Sequence, residues 1–297
     1  MRHIIGFALL MLVGCAGGNA PADVIVIETA IQTPTPIPSS CDPLEDELDG
    51  FIHSIEVSSD GSMLIAVGGV VVGGYGNVIR TDSDGCVTSK LGDLVWPHSA
   101  RDRVVNGQRL TLVSETGNSA VLIIDDSGVR VRRLTTLSDG SQFIYPNNAD
   151  WLSDDTILVT DRDADRVVEV TLDGQILWSY GGESILAGPH SARRLQNGNT
   201  LISDSENDRV VEVTRDLQIA WEYRGPLDWP RGVQRLENGD TLIASSYEGQ
   251  VKQVTHDGRV LWSYPCDLPY ETTILKDGRI LSSVFGDLIS LPSTHIP

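Results

Sequence analysis

From residue 51 onward the apolar residues fall into short runs, such as Thr200-Leu-Ile-Ser and Arg209-Val-Val-Glu-Val-Thr, separated by polar stretches rich in Gly, Asp and Asn. Nowhere does an apolar pattern of helical period persist for ten residues, so these runs predict strands and not helices. The strands come in sets. Residues 189–223, PHSARRLQNGNTLISDSENDRVVEVTRDLQIAWEY, recur as 230–264, and residues 146–180 are a third copy. Weaker copies begin at Ile52, Pro97 and Pro269. Each unit contains four short strands, the first usually ending at an Asn-Gly or Asp-Gly hairpin signal. A four-stranded unit of about forty residues cannot bury both its faces alone, whereas six stacked radially can. The expected fold is therefore all-β: a six-bladed propeller over residues 41–297, with four antiparallel strands per blade.

The sixth unit runs out of chain after its third strand, near Leu291. Val24-Ile-Val-Ile27 is a spare β-rich run at the other end, inside a Pro- and Thr-rich tether over 15–40, and it is expected to close the ring as the missing strand. Trp178, Trp221 and Trp262, each followed two residues later by Tyr180, Tyr223 or Tyr264, hold equivalent places on the fourth strands. Period-2 spacing repeated in three blades implies packing between blades.

The N-terminus changes the setting. Arg2 and His3 precede an apolar run from Ile4 to Val13, followed by Gly14 and Cys15. Ten helical residues rise about 15 Å, half of a bilayer's hydrocarbon thickness, so residues 1–14 read as a signal peptide and not as a span. Leu12-Val13-Gly14-Cys15 resembles the lipobox of bacterial lipoproteins. That resemblance implies an acyl anchor of the palmitate type on Cys15, a place in the cell envelope, and contact with the membrane through the lipid alone. Ala16, in place of Asp, implies the outer membrane in a two-membrane cell. Loss of Arg2 with the signal peptide moves the net charge from −19 to −20, which disfavours nucleic acid as a partner. Cys41, Cys86 and Cys266 remain, too far apart for a CxxC motif. Cys41 and Cys266 both flank the sixth blade and form the preferred disulfide, with Cys41–Cys86 as its rival.

Candidate chemistry lies at one repeat position. Aligned, the six units place His53, His98, Asn147, His190, Arg231 and Tyr270 at the start of the strand nearest the axis, at spacings of 39 to 49 residues. A position that only packs should hold similar residues throughout. This one holds three imidazoles, a guanidinium, an amide and a phenol. Five of the six follow a proline, and one position earlier stand Phe51, Trp96, Tyr145, Gly188, Trp229 and Leu268, an expected aromatic rim. Three other features are set aside. The acidic loops 161–166 and 204–209 each end in an Arg that can pair internally, so they read as turn supports before calcium sites. Ser99 and Ser191 lack a nucleophile elbow. Gly73-Gly74-Tyr75-Gly76 lacks the strand-to-helix setting of a phosphate loop.

The stretch 189–223 resembles the blade repeat of bacterial arylsulfotransferase-like propellers, with a His, then Leu-x-Asn-Gly-Asn-Thr-Leu, then Asn-x-Arg-Val and a closing Trp-x-Tyr. The likeness is good in blades three to five and looser elsewhere, and the chain is much shorter than those enzymes. It implies sulfuryl transfer from an aryl sulfate to a phenol through a sulfated histidine, with no cofactor. His190 would be the nucleophile, Arg231 and His98 would hold the sulfuryl oxygens, Tyr270 or His53 would shuttle the phenol proton, and Trp96, Trp229 and Asn147 would bind the ligand. Two alternatives use the same residues differently. Three histidines with a Tyr and an Arg also resemble the zinc site of peptidyl-hydroxyglycine lyase propellers. An acidic propeller could instead present its loops to an envelope protein.

Overall fold

A computed structural model describes residues 44–291 except 276, 277, 285 and 286. Six antiparallel sheets follow one another along these residues, each made of consecutive strands in simple meander order. The first five have four strands and the sixth has three, Thr272–Ile274, Ile280–Val284 and Asp287–Leu291. The strand 24–27 expected to complete that blade lies outside the described residues.

Blade four shows why the sequence folds this way. Its middle strands, Thr200–Asp204 and Arg209–Val213, are buried at every position, whereas the outer strand Ile219–Tyr223 buries only Trp221 and Tyr223. Middle strands are covered on both faces because each blade is sandwiched between two others. The core is accordingly divided into six interfaces. One cluster joins Leu158 and Val167 of blade three to Ile202 and Val211 of blade four, with Trp178 and Tyr180 packed into it. Trp178 donates Nε1–H to Arg215 O across that interface, and Trp221 donates to His256 O across the next. The aromatic stripe is core, as its spacing implied. Another cluster packs Leu281 of blade six against Ile52, Ile65 and Ile79 of blade one. The inner strand Ile52–Val57 touches both Pro97–Val105 and Thr272–Ile274, so the ring is closed within the described residues.

Hydroxyls fasten the inner strands to one another. Ser54 Oγ accepts from Ala100 N (3.1 Å), and Ser99 Oγ accepts from Ala149 N (2.9 Å) while donating to Ser114 Oγ (3.0 Å), which accounts for Ser99 without nucleophilic chemistry. The acidic loops behave as expected: Asp161 pairs with Arg166 and Asp204 with Arg209, both carboxylates fully buried. The cysteines differ from the expectation. Cys86 is bonded in a disulfide and Cys266 is a buried thiol, so the Cys41–Cys266 pairing is not formed. Cys41 lies outside the described residues. Cys266 packs instead with Leu242, Val251 and Ile280 between blades five and six.

Candidate functional site

The repeat position that carries the polar residues is also where strand pairing slips. The ladder skips His53, His98, Asn147 and His190 in blades one to four, and skips Arg231 with Gly232 in blade five. A bulged residue leaves the ladder and its side chain is re-aimed. Here the bulges collect these side chains at one end of the channel, around a cavity of about 20 Å³ lined by all six ring residues. The residues just before the prolines are strained: Trp96, Trp229 and Leu268 adopt φ of 51°, 55° and 45°. Left-handed backbone costs a non-glycine residue about 1–2 kcal/mol, and such strain gathers where it positions function.

All six predicted ring residues meet. The His53 and His98 rings stack at 4.0 Å between centroids and 3° between planes, and Tyr270 lies 5.0 Å from His53, 6.1 Å from His98 and 6.2 Å from His190. The Arg231 guanidinium sits 4.5 Å over the Tyr270 ring. Asn147 donates Nδ2–H to His190 O (3.1 Å) and to Tyr270 Oη (3.4 Å). Half-buried Trp229 faces His190 at 5.6 Å. Trp96 is placed differently from its expected role as an open aryl support. It is buried, 4.9 Å from His53 and 5.8 Å from His98, and donates Nε1–H to Tyr145 Oη (3.1 Å), so it backs the histidines instead of facing a ligand.

Backbone carbonyls fix the state of the imidazoles. Nδ1 of His53 lies 2.9 Å from Pro97 O, that of His98 3.2 Å from Trp96 O, and that of His190 3.1 Å from Gly188 O. A carbonyl only accepts, so Nδ1 carries the proton in each ring and Nε2 presents a bare lone pair. Burial keeps the rings neutral. It lowers His53 to about 4, with the Arg231 charge pushing the same way against the Pro97 carbonyl, and holds His98 and His190 well below the usual histidine range. Burial also raises Tyr270 to about 12, against the opposing pull of Arg231. The expected role of His98 in holding sulfuryl oxygens therefore fails, because a neutral imidazole whose one N–H is bonded to a carbonyl has no donor to offer. Donors come from Arg231 and Trp229. Arg231 Nε, Trp229 Nε1 and Asn147 Oδ1 are buried without a hydrogen-bond partner among the described residues. Among the described residues no group of three or more His, Cys, Asp or Glu is arranged to hold a metal.

The solved structures it resembles share its architecture. A structure of streptogramin B lyase superposes with a TM-score of 0.57 at 16% identity, covering 79% of this chain and 76% of that one. Virginiamycin B lyase from Staphylococcus aureus gives 0.59 at 15% identity, covering 82% and 85%. The WD40 β-propeller domain of Doa1 gives 0.60 at 13%, covering 82% and 78%. At such identities the likeness extends to the fold alone. No protein-family model matches the chain, and no curated protein matches it.

Two features escaped the sequence. Arg162, in the loop before the third strand of blade three, lies 5.7 Å over Tyr145 and 5.6 Å over Trp229, adding a second cation at the mouth. The corresponding loop positions hold Thr116, Ser205 and Ser246, so the lone guanidinium was a readable signal. Beneath the imidazoles, Glu271 accepts from Arg101 (2.7 Å), Arg193 (2.6 Å) and Ile55 N (3.0 Å). It lines both the histidine cavity and a larger one of about 970 Å³ at the other end of the channel, and so divides them.

Proposed function

We propose that the histidine end of the channel binds a small aryl oxyanion and passes a sulfuryl group from an aryl sulfate to a phenol through His190. The observation that carries this reading is the pairing of opposite capacities in one pit: bare Nε2 lone pairs beside a guanidinium whose Nε is unpartnered. Arg231 holds the sulfuryl oxygens by charge-assisted hydrogen bonds. His190 Nε2 attacks sulfur, an N–S bond forms, and the S–O bond to the aryl group breaks, the aryl oxide leaving with the electron pair. A phenol, its proton released to solvent water at the mouth, then attacks the same sulfur as the oxide, and the N–S bond breaks to restore His190. Tyr270, raised to about 12, serves as a wall under Arg231 and not as the proton carrier. The purified protein should release p-nitrophenolate from p-nitrophenyl sulfate continuously only when a phenol acceptor is supplied, and no more than one equivalent without it; absence of transfer would count against the step.

A second reading, a loop-presenting scaffold for an envelope partner, is favoured by the tip Val70-Val71-Val72, with each valine more than 60% exposed. If substitutions in that tip abolish the cellular phenotype while H190A and R231A do not, the scaffold reading holds. In either case Cys15 is proposed as the acyl anchor outside the cytoplasm. Labelled palmitate incorporated by the wild-type chain and not by C15S would establish it.

A further inference from the structure

His190 differs from the other two histidines in what its Nδ1 meets. Nδ1 of His53 and of His98 each meets a single carbonyl. Nδ1 of His190 meets Gly188 O at 3.1 Å and also Ser205 Oγ at 2.9 Å. Ser205 Oγ–H is already engaged, donating to Pro230 O of the next blade. With its one proton so committed, the hydroxyl can only accept from His190. The chain Nδ1–H to Ser205 Oγ to Pro230 O is thus directional, and it cannot be reversed without breaking the tie to blade five.

The same repeat position carries that tie elsewhere without a histidine on it. Thr116 Oγ1 donates to Pro146 O and Ser246 Oγ donates to Pro269 O, yet neither hydroxyl touches an imidazole. The inter-blade fastening is generic, and its use to orient a ring is confined to blade four. With the tautomer already set by the carbonyl, a second acceptor on the far nitrogen restrains the ring about χ2 and makes Nε2 a better electron donor.

We infer that Ser205 is the positioning residue that sets His190 apart as the reactive histidine, adding a second acceptor at Nδ1 that holds the ring in place and aims Nε2 at the mouth. The inference rests on the sulfuryl-transfer reading for its consequence, but its physical content is tested independently. In 15N-histidine NMR spectra of the full chain, His190, assigned through H190N, should show the pure Nδ1-protonated pattern between pH 6 and 8. The Gly188 carbonyl keeps the proton on Nδ1 in S205A, so the His190 nitrogen shifts should move to those of His98, which meets one carbonyl alone; S205T should keep the wild-type shifts because threonine makes the same tie at 116, and S246A should leave them unchanged. Turnover of p-nitrophenyl sulfate should fall about tenfold or more in S205A relative to S246A, in the range seen when an outer-shell partner is removed. S246A loses an equivalent fastener, so it controls for stability. If the His190 nitrogen shifts do not move in S205A, or if S246A moves them equally, the inference is overturned whether or not the protein transfers sulfuryl groups. Absent turnover with a shift change confined to S205A would fail the transfer reading and leave the positioning role standing.

Discussion

Replacing Glu271 by alanine is the sharpest test of how the channel is built. The Arg101 side chain is 4% exposed and the Glu271 side chain 13%, so little solvent screens their contact. Arg101 donates Nη2–H to Glu271 and Nη1–H to Ala100 O, and among the described residues no other carboxylate forms an ion pair with it, Glu56 feeling its charge from further off. Arg193 keeps Asp150 at 2.8 Å when Glu271 is removed, so most of the cost falls on Arg101. Breaking a buried pair by deleting one member costs ~3–5 kcal/mol, because the surviving charge stays desolvated. For a protein of this size each kcal/mol lowers Tm by about 2–4 °C, so E271A should melt about 6–20 °C below the wild type. Thermal unfolding followed by circular dichroism measures the shift. R101M/E271M, which removes both charges and retains side-chain bulk, should recover most of the loss. A drop of less than about 1 kcal/mol in E271A, or a double variant no better than the single, would refute the assignment of Glu271 as the ionic centre of the channel.

Acid should destabilise the protein in a defined window. His53 falls from the usual 6.5 to about 4 on folding, so the unfolded chain takes up a proton at higher pH than the folded one. Stability contributed by neutral His53 is full above pH 6.5 and declines as pH falls toward 4. That share of the decline amounts to about 3 kcal/mol, and urea titrations of H53Q across the range should show the acid loss reduced, with the part owed to His98 and His190 remaining. Gly68→Ala would place a Cβ 2.6 Å from His53 Cε1 and 3.2 Å from the Trp96 ring; the ring stack must shift, and turnover should fall at least tenfold with the fold retained. R231K keeps the charge but loses the planar fork, so KM for p-nitrophenyl sulfate should rise more than kcat falls. Alkylation without reduction should spare Cys86 in peptide maps and should modify Cys266 only after unfolding.

The blades and the ring position were legible because repetition converts one chain into six aligned samples. A residue that varies among His, Asn, Arg and Tyr where the neighbouring strands hold valine betrays a special place. What aimed those residues was not legible, since the register slip at each bulge leaves no mark in residue type. Glu271 was visible in principle, standing where the other units carry Ser54, Ser99, Asn148, Ser191 and Gly232. Its meaning required knowing that Arg101 and Arg193 project to the same depth. Protonation states were out of reach for a similar reason, because the carbonyls of Pro97, Trp96 and Gly188 that fix them are identical in every residue type. The cysteine pairing failed because spacing along the chain says little about which crossing loops approach one another.

The carboxylate clamped between two arginines has a kinetic corollary. A pit with a floor has one doorway, so whatever enters must back out by the same route. On the proposed transfer, two aryl groups could not sit together over so small an opening, and the first product would have to depart before the second reactant arrived. Parallel double-reciprocal lines, with no ternary complex at any concentration, are what such traffic would write.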